Sequence, residues 1–203
     1  MADWPFVGLG RGKYAVVLAD PPWHFRTRSV KGQGKSPGRH YKTMSPQQIM
    51  ALPVAELCRP DAVLFLWGCN PMVPLTLRVI DAWGFEFRAV AFTWAKRPRA
   101  RNSPTGRRRK HKWHFGPGYY TRQNTERCYI GVRGHPRRLN ADVPELIEAP
   151  VREHSRKPDE QYALIERLLA GPYCELFSRQ EIGFRKGWDI FGDQVGKFKN
   201  GGD

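Results

Sequence analysis

The 203-residue chain carries 34 Lys+Arg against 19 Asp+Glu, a net charge of +15, with 40% hydrophobic and 12% aromatic residues. That aromatic content excludes a disordered basic tail, which lacks the large apolar groups that offset the entropy of ordering, and the length fits one folded domain over 1–203. No basic n-region and apolar stretch open the chain, and the longest apolar run, 62–67, falls far short of the ~20 residues of a membrane span, so a soluble cytoplasmic protein is expected. Cys58, Cys69, Cys128 and Cys174 form no C-x-x-C pair, and His111 with His114 has no second pair to complete a tetrahedral set. Buried reduced thiols and no metal site are the expectation.

Residues 14–19 (YAVVLA) form a continuous apolar run that ends at Asp20-Pro21-Pro22 and predicts a buried strand. Ser45-Pro46-Gln47-Gln48 predicts a short helix, with Ser45 as N-cap, Pro46 at the first helical position and Gln48 closing a capping box. A second buried strand is predicted at 62–67 (AVLFLW), then a helix over 72–83 that stops at Gly84. Further strands follow at 87–94, 126–132 and, shorter, 146–149. Lys157-Pro158-Asp159-Glu160 opens a helix with Tyr162, Ile165, Leu168 and Leu169 on one face, ended by Gly171-Pro172. Strands at 173–177 and 187–191 complete the series. This alternation predicts an α/β architecture, a mostly parallel sheet with helices on both faces. Ligands of such sheets bind beyond the carboxyl ends of the strands.

The charge is uneven. Between Lys96 and Arg138 stand 14 Lys/Arg and a single acid, Glu126, so this stretch holds +13 of the total. A second acid-free stretch runs from His24 to Lys42. The chain therefore reads as a nearly neutral body with basic insertions at about 24–42 and 96–122. In the second, Pro98, Pro104, Gly106 and Gly116 to Gly118 exclude a continuous helix. A solvated loop or an import tag would account for Arg107, Arg108, Arg109 and Lys110. Trp113, Tyr120 and their aromatic neighbours favour a nucleic-acid groove, which combines phosphate neutralisation with stacking faces.

Asp20-Pro21-Pro22-Trp23 combines an acid, a rigid corner and a flat aromatic at a strand end. Methylating an exocyclic amine calls for such a set. The amine's lone pair is delocalised into the ring, and acceptors on its two N–H bonds favour the pyramidal, nucleophilic form. Asp20 and the Pro21 carbonyl are candidate acceptors, Pro22 stiffens the turn, and Trp23 is a candidate stacking face for an extruded base.

The motifs ADPPW (19–23), YKTMS (41–45), FLWG (65–68), WGF (83–85), GYYTRQNTE (118–126), SRKPDE (155–160), ELFSR (175–179) and WDIFGDQ (188–194) occur in this order. Together they resemble the adenine-N(6) methyltransferase family that includes the catalytic subunit of the eukaryotic mRNA adenosine methyltransferase, in the form of its bacterial and phage members. The resemblance implies an S-adenosylmethionine donor and a Rossmann-like methyltransferase sheet of permuted motif order, the catalytic strand preceding the cofactor strand. It implies cofactor contacts from Asp20, Lys157, Arg179, Asp193 and Gln194, and a substrate wall at Tyr41. Asn124 either faces substrate or caps the following strand. The chain departs from the family pattern at Ser178, where glycine is frequent, and at Asp193, where asparagine is. The expected function is methylation of the 6-amino group of adenine, in DNA ahead of RNA, in a bacterial or phage-infected cell. The alternatives are an RNA adenosine methyltransferase and a catalytically silent nucleic-acid-binding subunit, and a homodimer or related subunit is the expected protein partner.

Overall fold

The computed structural model describes residues 4–24, 43–99 and 111–198. Seven strands form within them: β1 (Tyr14–Ala19), β2 (Cys58–Gly68), β3 (Glu86–Arg97), β4 (Thr125–Arg133), β5 (Leu146–Pro150), β6 (Tyr173–Leu176) and β7 (Trp188–Phe191). They join one sheet in the order β5-β3-β4-β2-β1-β6-β7. β4 is antiparallel to β2 and β3, and the other four pairings are parallel. Six strands thus share one direction. Their carboxyl ends and the amino end of β4 make up one edge of the sheet.

The continuous apolar runs of β1 and β2 arise because both faces of these strands are covered. Successive side chains alternate between two cores. Val17, Ala19, Leu64 and Leu66 enter one core with Ile49 of α1 (Pro46–Met50) and Val79 and Ile80 of α2 (Val73–Ala82). Val16, Leu18, Val63, Phe65 and Trp67 enter the other with Tyr162 and Ile165 of α3 (Glu160–Leu168). Helices therefore lie on both faces, in the Rossmann-like arrangement expected.

Local signals act where they stand. Ser45 and Gln48 form the reciprocal capping box of α1, and α2 ends before Gly84, whose φ of +78° only glycine adopts without strain. Three details differ from the predicted pattern. β2 begins at Cys58, ahead of its apolar run, because Cys58 pairs with Tyr14. β6 stops at Leu176 because Phe177 turns away with φ 61°. On α3, Leu168 is only half-buried and Gln161 is buried, since its Oε1 accepts the indole N–H of Trp67 at 2.7 Å.

Candidate active site at the carboxyl edge of the sheet

Asp20 follows the last residue of β1 and Lys157 precedes α3, and the sheet brings these residues together: Lys157 Nζ donates to Asp20 Oδ2 at 2.7 Å. The same ammonium stands 3.4 Å from Glu126 Oε2 at the start of β4. Glu126 Oε1 in turn accepts from Lys96 Nζ near the end of β3. Two carboxylates and two ammoniums thus alternate across three strand ends. Burial alone would raise the Glu126 carboxyl, but Lys157 and Lys96 outweigh it and hold it at about 2. Lys157 is likewise raised: burial disfavours its charge, and Asp20 and Glu126 more than offset that. Its ammonium also lies 5.6 Å from the centre of the Trp67 ring, so that ring and Gln161 form the floor beneath it. Oδ2 of Asp20 is held by the lysine, which leaves Oδ1 to a ligand.

Beside this chain of charges lies a cleft lined by Asp20, Lys157, Glu175, Arg179 and Gln180. Ser155 and Phe177 also line it. They have φ of 62° and 61°, the two positive values at non-glycine positions among the described residues. Such strain costs on the order of 1–3 kcal/mol per residue and concentrates at binding sites. Glu175 is buried here and forms no ion pair among the described residues. It accepts from Tyr162 Oη at 3.1 Å and Ser178 Oγ at 2.8 Å, and Gln180 Nε2 donates to Tyr162 Oη. Burial pushes Glu175 up to about 7; the hydroxyl donors pull the other way and Asp20 and Asp159 add to the rise. Ser178, the departure noted above, supplies one of those hydroxyls. Oε1 of Gln180 is buried without a partner, as is Nε of Arg156.

The residues expected at the site separate into groups. Asp20, Lys157 and Arg179 share the cleft. Asp193 and Gln194 lie on the turn after β7, at the same edge but outside that lining; Asp193 is exposed and Gln194 accepts from Lys197 Nζ. The Pro21 carbonyl already accepts the Trp23 N–H at 2.8 Å, and Pro22 accepts from Met44 N, so the turn is closed by its own bonds. The stacking role expected of Trp23 is corrected: its ring is 3% exposed within the core, and Nε1 donates to the Trp67 carbonyl. An indole at a strand end beside a bulky apolar strand fills the core first. Tyr41, Arg107, Arg108, Arg109 and Lys110, with most of the 24–42 insertion, lie outside the described residues.

The described part of the 96–122 insertion rises from the same edge. Gly116 and Gln123 pair through both backbone bonds, and the ends are tied to Lys96 by His114 N and Asn124 O. The resulting hairpin exposes Tyr120 fully and Tyr119 by about half. Trp113 is half-buried, with the Arg97 guanidinium 5.0 Å from its ring centre. Asn124 accepts through its backbone carbonyl, so its side chain is not what ties the hairpin to the sheet.

Glu126, Glu175, Trp67 and Gln180 are site residues that pattern reading passed over. For Glu126 a signal existed: it is the single acid in a stretch of +13, and a lone acid among fourteen bases has a high chance of pairing. Trp67 and Glu175 sit inside apolar strand signals and read as core.

The MT-A70 family matches residues 14–194. A Drosophila melanogaster N(6)-adenosine-methyltransferase MT-A70-like protein is 34% identical over 187 residues, 91% of this chain and 27% of the relative. The Homo sapiens N(6)-adenosine-methyltransferase catalytic subunit METTL3 is 32% identical, with 91% and 28% covered. The Type II methyltransferase M.MunI of Mycoplasma sp is 27% identical over 215 residues, 95% of this chain and 82% of the relative. The chain thus spans about a quarter of the length of the two animal relatives and most of the bacterial one. With the ordered motifs, the Asp20–Lys157 pair and a family match over nearly its whole length, the chain belongs to the MT-A70 family.

Proposed function

We propose that this chain transfers a methyl group from S-adenosylmethionine to the 6-amino nitrogen of adenine in nucleic acid, DNA in preference to RNA. The observation that carries this reading is the Asp20 carboxylate, held through one oxygen by Lys157 at an edge from which a basic, aromatic hairpin also rises. The names of the N(6)-adenosine relatives agree with the reaction, and the GYYTRQNTE form of the motif at 118–126, which resembles bacterial and phage members, is the ground for placing DNA first.

The side chains that line the cleft suit the chemical groups of the donor. Lys157 and Arg179 offer cations to an amino-acid carboxylate, Glu175 and Gln180 offer acceptors to ribose hydroxyls, and the orphaned Gln180 Oε1 marks one position where an acceptor awaits a partner. When bound, the donor supplies an electrophilic methyl carbon on a sulfonium. Asp20 Oδ1 accepts an N–H of the amine and turns the nitrogen lone pair outward, while Lys157 fixes the carboxylate's orientation through Oδ2. Forming the nitrogen–carbon bond would break the carbon–sulfur bond, whose electron pair stays on sulfur as a neutral thioether, and the nitrogen loses a proton. Asp20 takes that proton and passes it to solvent, to which its side chain is 24% exposed.

Labelled methyl transfer to adenine-containing DNA and RNA by the wild type and Asp20→Ala tests the reading. Incorporation by the wild type and loss of at least ~100-fold in the variant is expected, the scale of a lost preorganised acceptor. Equal incorporation by both overturns the assignment, and transfer to RNA alone overturns the preference for DNA.

A further inference from the structure

The opposite edge of the sheet carries a second groove. We propose that it binds the sugar–phosphate backbone of nucleic acid at a distance from the target base, an inference that rests on the substrate being a polynucleotide. Between the pairs Tyr14↔Cys58 and Val16↔Val63 the register of β1 and β2 jumps, so that Ala15 alone faces residues 59–62. The surplus residues of β2 bulge outward, as bulges at strand ends do when they re-aim side chains. Arg59 and Asp61 of this bulge, His135 and Arg137 after β4, and Val16 and Leu169 line the groove. The groove is open to solvent and has a volume of about 430 Å³, within the range of small-ligand sites.

The lining is held in place. His135 N donates to Asp61 Oδ1 at 2.8 Å, and Leu139 N donates to Leu168 O at 2.8 Å, which ties the 134–140 turn to the end of α3. The cations are not spent on the fold. Among the described residues no ion pair or hydrogen bond engages the guanidinium of Arg59, Arg137 or the adjacent Arg138, and all three residues are exposed. The one acid in the lining, Asp61, already accepts from the backbone. Apolar side chains together with two free guanidiniums suit a phosphate carrying a sugar or base.

The site is remote from Asp20. The bulge lies level with Ala15, five residues before Asp20 along β1, a separation of ~17 Å at ~3.3 Å per residue, the length of about five base pairs at ~3.4 Å each. A polynucleotide engages both edges only when it extends about that far beyond the target, and the groove adds affinity without sequence preference.

The test compares the wild type with the double variant Arg59→Gln, Arg137→Gln on oligonucleotides of about 6 and about 30 residues, each with the target adenine at its centre, read by equilibrium binding across a salt series and by methyl transfer. For the long oligonucleotide the salt slope should fall by up to ~1.8, about 0.9 per duplex phosphate contact, and affinity should drop about tenfold or more. The short one should bind and react as with the wild type. An unchanged slope on the long oligonucleotide overturns the proposal. So does saturable binding of adenosine monophosphate that the double variant loses while long-oligonucleotide binding stays intact, which assigns the groove to a free nucleotide. Failure of the wild type to transfer methyl groups overturns the reading of the previous subsection, and the binding arm still decides this one.

Discussion

Glu126 and Glu175 are both buried carboxyls within reach of Asp20's surroundings, and they are driven in opposite directions. Glu126 faces the ammoniums of Lys96 and Lys157 and is held at about 2. Glu175 faces the hydroxyls of Tyr162 and Ser178, and burial, with the charges of Asp20 and Asp159 adding to it, pushes it up to about 7. Burial penalises both charges alike, so the neighbours decide the outcome. One side of the site is consequently an ionic clamp that fixes Asp20. The other is a polar pocket whose carboxyl is held toward its protonated form by burial, which suits a neutral, hydroxyl-rich ligand group.

The comparison breaks first at Lys157, the cation that Asp20 and Glu126 share. Lys157→Met leaves Asp20 and Glu126 without their shared cation and should destabilise the fold by about 3–5 kcal/mol, as removal of one partner from a buried pair does. Denaturant unfolding measures this, and a loss below ~1 kcal/mol would mean that the clamp carries little of the fold. Glu126→Gln is the next largest. The folded carboxyl is depressed below its ordinary 4.5, so its contribution, on the order of 2–3 kcal/mol, is present above that value and is lost as pH falls toward about 2. Acid unfolding of the variant should lack this component, and superimposable profiles would show that Lys96 and Lys157 do not select the ionised form.

Glu175→Gln tests the opposite sign. Here the folded pKa is raised from 4.5 to about 7, so the folded state binds the extra proton. Stability is greatest below about 4.5 and declines as pH rises toward 7. The slope, up to ~3 kcal/mol across that window, should vanish in the variant, and a slope that persists would place the proton elsewhere. The smallest effect on stability belongs to the hairpin. Tyr119→Ala with Tyr120→Ala removes exposed rings and should leave stability within ~0.5 kcal/mol. Stacking is worth ~1–3 kcal/mol per base, so the pair should weaken single-stranded nucleic acid several-fold to a hundredfold in a fluorescence titration. Unchanged affinity would remove these rings from the substrate surface.

Much of the scaffold was legible because its signals are local. The run Tyr14–Ala19 is β1 to the residue, and the Ser45 capping box forms as its spacing requires. Lys157, Arg179 and Asp20 were found through ordered motifs, and the fold brings them to one cleft. Trp23 was misread because an aromatic beside an acid at a strand end looks the same whether it faces a ligand or the core; the bond from its indole to Trp67, 44 residues away, settles which. Gln161 was passed over for the converse reason, a polar residue whose single partner makes it a core residue.

By itself, then, the amino-acid order determined where strands and helices start and stop, where the rigid Asp20-Pro21-Pro22 corner stands, and that the positive charge gathers in one segment with a lone acid inside it. These follow from periodicity, capping and turn chemistry, all of which act over a few residues. Only the tertiary structure decided which charges meet. Lys157 and Asp20 are 137 positions apart and 2.7 Å distant, and Coulomb interaction depends on the second number alone. The same sheet that closes that gap sets Glu126 among cations, leaves Glu175 among hydroxyls, and opens at its far edge a groove with two unspent arginines.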